Sequence, residues 1–311
     1  MKVFVLSPNA NILFSDRQRK ILKEAAHTTF ISTVKPLKKI DALFRGNEPR
    51  ILALDPDFCN WELTSEIIDS IPNLTAICLL TTAYDWVDIK GASKWSIPVT
   101  NTSGFSTEAV AEWATLITLA LARKLPVIIK DGWHADYVKH RGIELRGRVA
   151  GIIGLGRIGR AYADDMAGLG MNVQYWSKNS RDNRYKLVEL PELMRSSDVV
   201  FLSLASNPDT AKLLTNDLIR SMRSTTIFVA ISNNLFDPGV VLQMVKKHEL
   251  FGFGFEAEAS DFGDYPGNVW NGPALAWATE ETVKRNAELW VESIVAATRG
   301  DYPTRVNGAK L

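Results

Sequence analysis

Short apolar runs alternate with amphipathic stretches from the first residues onward. KVFVLS is followed by DRQRKILKEAA, TTFIST by PLKKIDALF, RILALD by WELTSEIIDSI, and LTAICLLTT by VDIKGASKW. The runs favour strands and the stretches between them repeat at helical spacing, so the pattern predicts parallel strands with covering helices. This first series ends near Val99 and Thr100. A long apolar-periodic segment, Thr107 to Leu125, predicts a helix that Pro126 breaks or kinks. After the linker GWHADYVKHRGIELRG, a second alternating series opens with RVAGIIG. The last helical run, Thr279 to Thr298, is long enough to pass back to the first unit. One domain is therefore expected from both chain ends, 1–100 with 281–311, and a continuous one between them, 101–280.

The second series opens with Gly154-Leu155-Gly156-Arg157-Ile158-Gly159, directly after a predicted strand and directly before IGRAYADDMAGLG. Strand, glycine turn and helix in that order meet the structural condition for a dinucleotide site. Gly154 permits the tight turn, Gly156 lets backbone approach a pyrophosphate, Gly159 lets helix pack on strand, and N–H groups at the helix start face the anion. A site for NAD would end its second strand in a carboxylate that binds the ribose 2′-hydroxyl. Between Asp165 and Asp182 there is no acidic residue, and MNVQYW runs into Ser177, Lys178 and then Arg181. A hydroxyl with two cations suits a 2′-phosphate, so NADP is the expected cofactor, with NAD as the alternative. The same residues also read as an ordinary solvated basic loop.

Composition narrows the partners. With 311 residues, 46% hydrophobic and 23% charged, the chain fills two cores. Its 36 basic and 35 acidic side chains leave no net field for nucleic acid or anionic lipid, and both are discarded. MKVFVLSP is too short for a signal peptide, and no apolar run reaches membrane-spanning length. Cys59 and Cys78 fall in neither a metal-ligand nor a redox spacing, which predicts reduced thiols, a cytoplasmic location and no metal site.

GIIGLGRIG after IELRG, with VTNTSGFSTEAVAEWATLITLALAR before it, resembles the D-isomer-specific 2-hydroxyacid dehydrogenases. The resemblance continues through YDWVDIKGA, SNPDTAKLL, DPGVVLQMV, GFGFE and RGDYPTRVN. It implies a flavodoxin-like substrate domain from both chain ends, a doubly wound Rossmann domain between, a cleft at their junction and a homodimer joined through the cofactor domains. The serine and basic residue after the ribose-binding strand look like the family's NADP-using glyoxylate and hydroxypyruvate reductases. The resemblance further places Thr107, Gly154, Gly156, Arg157, Ile158, Gly159, Ser177, Lys178, Arg181, Ala205 and Glu256 at the cofactor. It places Thr82, Ala83, Asn233 and Ala274 around a small-molecule substrate.

The family passes hydride to a 2-keto acid with three side chains: an arginine on the substrate carboxylate, a histidine that gives the proton, and a glutamate that keeps the histidine charged. The arginine position falls at Ser232 or Asn233, and no Arg or Lys occurs between Arg223 and Lys246. The histidine position follows Pro273 and is Ala274, in the segment NVWNGPALAWAT; His248 is the last histidine of the chain. The glutamate position is Asp261, followed by Phe262. Ala274, Leu275, Trp277, Asn233, Phe236 and Phe262 stand in place of polar groups, a composition that favours a larger, less charged ligand or simple core packing. Three readings follow: an NADP-binding oxidoreductase-fold enzyme of atypical chemistry, a nucleotide-binding regulatory protein without catalysis, or a 2-keto acid reductase with relocated groups. In the last, Asp261 serves as acid, or His134 or His140 arrives from a partner subunit.

Overall fold

The computed structural model describes residues 1–204, 210, 213–231, 235–256 and 265–308. The chain forms two compact units, Met1–Phe105 with Thr279–Leu311, and Ser106–Ala278. The division falls after Phe105 and before Thr279 because the residues after Thr100 stay tied to the first unit. Thr102 N donates to Thr81 O at 3.1 Å, Asn101 Nδ2 to Thr82 O at 2.8 Å, and Arg285 Nη1 to Phe105 O at 2.6 Å.

The first unit runs β1 (Lys2–Leu6), α1 (Asp16–Ala25), β2 (His27–Ile31), α2 (Asp41–Phe44), β3 (Arg50–Leu54), α3 (Ser65–Ser70), β4 (Leu74–Leu79), α4 (Ile89–Lys94) and β5 (Val99–Thr100). The sheet is parallel in the order β2-β1-β3-β4-β5, a flavodoxin-like order that reverses between β1 and β3. Helices on both faces bury every residue of β3, which is why its sequence is apolar without alternation after Arg50. Arg50 itself is fully buried, and its guanidinium donates to the carbonyls of Leu43, Arg45, Gly46 and Glu48, at and just after the end of α2. Ser15 and Gln18 form a capping box that starts α1. The closing helix, Glu280–Thr298, is capped by Thr279 and places Trp290 in the core. Its indole stacks on Phe14 at 5.6 Å between ring centres and donates to Cys78 O at 2.9 Å.

The second unit contains α5 (Thr107–Ala122), α6 (Leu125–Lys130), β6 (Val149–Ile153), α7 (Arg157–Gly168), β7 (Asn172–Trp176), β8 (Lys186–Leu187), α8 (Leu190–Ser196), β9 (Val199–Leu202), α9 (Asn216–Arg220), β10 (Ile227–Ala230), α10 (Pro238–Lys246), β11 (Gly252–Glu256) and β12 (Val269–Gly272). Its parallel sheet has the order β12-β11-β10-β9-β6-β7-β8, the doubly wound dinucleotide-binding order extended by β12. The long helix stops at Ala122, short of the expected Leu125, because Lys124 turns left-handed with φ 53°. Pro126 then begins the next helix, where its missing N–H costs nothing. α5 lies close on β11: a Cβ at Gly254 would fall 2.2 Å from the Ile117 side chain. Tyr162 of α7 is buried against Phe201 and shares a hydrogen bond of 2.6 Å with the Thr118 hydroxyl. No helix among the described residues is long and apolar enough to cross a membrane.

Candidate cofactor and substrate site

The glycine loop sits at the C-terminal end of β6, where the strand order of the second sheet reverses and open α/β sheets bind their ligands. Gly154 has φ +96°, a conformation that glycine adopts without strain, and its N–H donates to Trp176 O at 2.9 Å. A Cβ at Gly159 would meet Gly154 O at 2.1 Å, so only glycine lets α7 approach the strand this closely. Gly156 differs from both. A Cβ there would touch nothing within 4 Å, so the space beside it is open. Gly156 is also the cap of α7, and no side-chain hydrogen bond closes that helix start. Open space beside the loop and a helix N-terminus directly after it fit a dinucleotide pyrophosphate. Arg157 and Ile158 open the helix at this end, and Thr107 opens α5.

Ser177, Lys178 and Arg181 come together in one turn after β7. Ser177 Oγ accepts from Ser180 N at 3.1 Å, and Arg181 Nη1 donates to the carbonyls of Ser177 and Ser180 at 3.0 and 2.8 Å. Lys178 and Arg181 are both exposed. A second set of charges braces this turn. Arg160 of α7 donates to Arg181 O at 3.3 Å and stands 3.8 Å from the Asp182 carboxylate. Asp182 pairs with Arg184 at 2.7 Å, and Arg184 pairs with Asp164 at 2.8 Å. The Arg184 hydrogen bonds hold the Asp182 carboxyl at a pKa of about 2. The carboxylate that follows Arg181 is thus engaged by arginine. Sequence reading missed Arg160 and Arg184, because their relevance depends on α7 and the β7–β8 connection meeting in space; their basic character was the only signal.

At the other end of the sheet, β11 and β12 pair so that Glu256 lies opposite Gly272. The chain after β12 returns over Glu256, whose Oε1 accepts from Leu275 N at 3.0 Å and Ala276 N at 2.7 Å. Burial pushes this carboxyl above its ordinary pKa. Ala276 is buried, whereas Ala274, Leu275 and Trp277 are exposed. Phe236 is half-buried, and its ring packs on Phe228 and Phe253 at the edge of the unit's core. Ala205, Ser232, Asn233, Asp261 and Phe262 lie outside the described residues.

In the first unit, Thr82 and Ala83 form an exposed loop beyond the C-terminal end of β4. Thr82 Oγ1 donates to Thr102 O at 3.0 Å, and Ala83 O accepts from Trp86 Nε1 at 3.0 Å. With the Asn101 amide on Thr82 O, these bonds anchor the loop. His134 and His140 both serve the segment after α6: His134 Nδ1 lies 2.8 Å from Asp131 O, and His140 Nε2 lies 2.7 Å from the Asp131 carboxylate. That segment lines an open groove of about 960 Å³ with Leu119, Ile128 and Leu169, and it exposes Trp133, Tyr137 and Val138. No group of His, Cys, Asp and Glu among the described residues could hold a metal ion.

Residues 116–262 match the family described as D-isomer specific 2-hydroxyacid dehydrogenase, NAD binding domain. A glyoxylate reductase of Korarchaeum cryptofilum is 31% identical over 261 residues, which cover 78% of each chain. An acyclic imino acid reductase in complex with NADPH and D-Arg is similar in structure, with a TM-score of 0.83 and 23% identity over 98% of this chain and 100% of that one. The D-lactate dehydrogenase of Aquifex aeolicus, complexed with NAD and lactic acid, has a TM-score of 0.81 and 21% identity over 100% of both chains.

Proposed function

Because the chain belongs to the D-isomer-specific 2-hydroxyacid dehydrogenase family, we propose that it is an NADP-preferring oxidoreductase whose substrate is larger and less charged than a simple 2-keto acid. The observation that carries this reading is the exposed Ala274 after Pro273, where the resemblance puts a proton-donating histidine. The arginine that would hold a substrate carboxylate is missing as well, since no Arg or Lys occurs between Arg223 and Lys246. A general acid contributes ~10²–10⁴-fold and an electrostatic clamp ~10²–10³-fold, so losing both leaves little ordinary keto-acid reduction.

Gly154, Gly156 and Gly159 would hold the pyrophosphate against the start of α7, with Arg157, Ile158, Thr107, Ala205 and Glu256 around the rest of the nucleotide. Ser177, Lys178 and Arg181 would receive the 2′-phosphate; the braced Asp182 supports this assignment, because its carboxylate is drawn to Arg184. When bound, the cofactor supplies hydride to a carbonyl carbon. The residues that the resemblance assigns to the substrate are Thr82, Ala83, Asn233 and Ala274. The exposed Trp133, Tyr137 and Val138 support a homodimer formed through the second unit, and the free thiols of Cys59 and Cys78 support a cytoplasmic location.

Titration calorimetry with NADPH and NADH, followed by turnover of glyoxylate, pyruvate, hydroxypyruvate and the neutral aromatic keto ester ethyl benzoylformate, tests this function. NADPH binds more tightly and the three acids give negligible turnover. Brisk turnover of a small 2-keto acid overturns the reading and moves the search for a proton donor to Asp261 and to His134 or His140 of a partner subunit. Tight NADPH binding without reduction of any carbonyl compound favours a nucleotide-binding regulatory protein instead.

A further inference from the structure

The segment Pro273–Ala278 has lost the histidine its position implies, yet it is held by a charged group. One oxygen of Glu256 accepts two successive backbone amides, Leu275 N at 3.0 Å and Ala276 N at 2.7 Å. Leu275 N also donates to Pro273 O at 2.8 Å, and Ala278 N to Leu275 O at 2.9 Å, so the segment is a compact turn fastened at its middle. A carboxylate taken partly out of water is unfavourable by itself, and amide donors offset that cost through charge-assisted hydrogen bonds. The β11–β12 register explains why Glu256 can do this: it lies opposite Gly272, the last residue before the segment turns back. The turn buries Ala276 and leaves Leu275 and Trp277 exposed at 48% and 43% on either side of it.

We infer that Glu256 is a positioning residue that fixes the Pro273–Ala278 turn, so that Leu275 and Trp277 form a preset apolar face selecting a carbonyl substrate with an apolar or aromatic substituent. The inference rests on the proposed function, which puts this turn at the substrate. Glu256 acts on the substrate through the turn, and because it also stands at the proposed nucleotide site, substrate affinities are measured at saturating NADPH. A Gln side chain there keeps an oxygen for both amides without the charge, an Asp is one methylene too short, and an Ala leaves both amides without their acceptor.

Amide hydrogen exchange on the full-length protein, with Glu256→Gln, Glu256→Asp and Glu256→Ala, reads the turn without any ligand. Exchange at Ala276 accelerates about tenfold or more in Glu256→Ala and Glu256→Asp, and less in Glu256→Gln, while Phe253 and Phe255 in β11 keep their protection. Inhibition or turnover is then measured with ethyl benzoylformate and with glyoxylate in the presence of NADPH. Loosening the turn weakens apparent affinity for the aromatic ester and leaves that for glyoxylate, too small to reach an apolar face, much less affected. The Gln variant recovers part of the lost discrimination. Unchanged Ala276 exchange in Glu256→Ala overturns the inference, as does a loosened turn with undiminished preference for the ester. Failure of the unaltered protein to bind NADPH is a different result and sinks the proposed function.

Discussion

Replacing Gly156 and Gly159 by alanine, one at a time, separates space kept for a ligand from space kept for packing. At Gly159 the new methyl would lie 2.1 Å from the carbonyl oxygen of Gly154, a backbone atom that cannot swing aside. α7 must move off β6, an overpacking cost of about 1–3 kcal/mol. For a unit of this size each kcal/mol lowers the melting temperature by about 2–4 °C, so Gly159→Ala should melt ~2–12 °C lower. At Gly156 the methyl meets no heavy atom within 4 Å, and φ is −77°, which alanine adopts freely. The small loss of cap preference is offset by a less flexible unfolded chain, and the ligand-free protein should melt within ~2 °C of the parent. The same methyl stands where backbone would approach a pyrophosphate, so NADPH affinity should fall about tenfold or more. Thermal unfolding without ligand and titration calorimetry with NADPH measure the two effects. Equal melting shifts for the two variants, or full NADPH affinity in Gly156→Ala, would refute the reasoning.

Three further outcomes are expected. The double variant Lys178→Ala with Arg181→Ala should narrow the gap between NADPH and NADH affinities by about tenfold, since each charged donor lost to a phosphate is a strong interaction; equal affinities in the unaltered protein would remove its premise. Ala274→His combined with Asn233→Arg, or with Ser232→Arg, and with Asp261→Glu added to each, should raise glyoxylate turnover beyond the product of the single gains, and multiplicative gains would show that the residues do not act as a unit. Asp182 has its folded pKa lowered from 3.8 to about 2 by Arg184, so its contribution to the turn is present above about pH 3.8 and is lost as pH falls towards 2; a carboxyl titration by NMR with a midpoint near 3.8 would contradict the pairing.

Local patterning made the layers legible. Val3–Leu6 in KVFVLS and Ile51–Leu54 in RILALD are apolar without alternation because parallel strands are covered on both faces, and the helices between them carry their own start signals, such as Ser15 and Gln18. The glycine loop is readable from its spacing between strand and helix; Gly154 and Gly159 answer local steric demands, and Gly156 keeps open space. Other features depend on residues that meet only in the folded chain. The end of α5 is set by the left-handed Lys124, which no periodicity announces, whereas the visible Pro126 points to a later end. Phe236 reads by its place in the chain as either a pocket or a packing residue, and its partners Phe228 and Phe253 show only in the folded chain. The hold of Glu256 on the turn after β12 spans 20 residues and runs from side chain to backbone, a type of contact that leaves no mark on composition or spacing.

Trp290 also sets an order of events at the ribosome. Residues 106–278 are continuous, so the second unit can close as soon as its last strand has emerged. The first unit cannot, because the core around Phe14 and Cys78 is completed by a tryptophan in the final helix. Its five strands emerge early and then wait for roughly 200 more residues, ~10–40 s at ordinary synthesis rates. Throughout that interval one face of a parallel sheet, with Val3, Val5, Ala53 and Cys78 on it, has α1 but lacks the last helix that completes its cover. Until that helix arrives, the apolar side chains of these strands are the part of the nascent chain most open to aggregation.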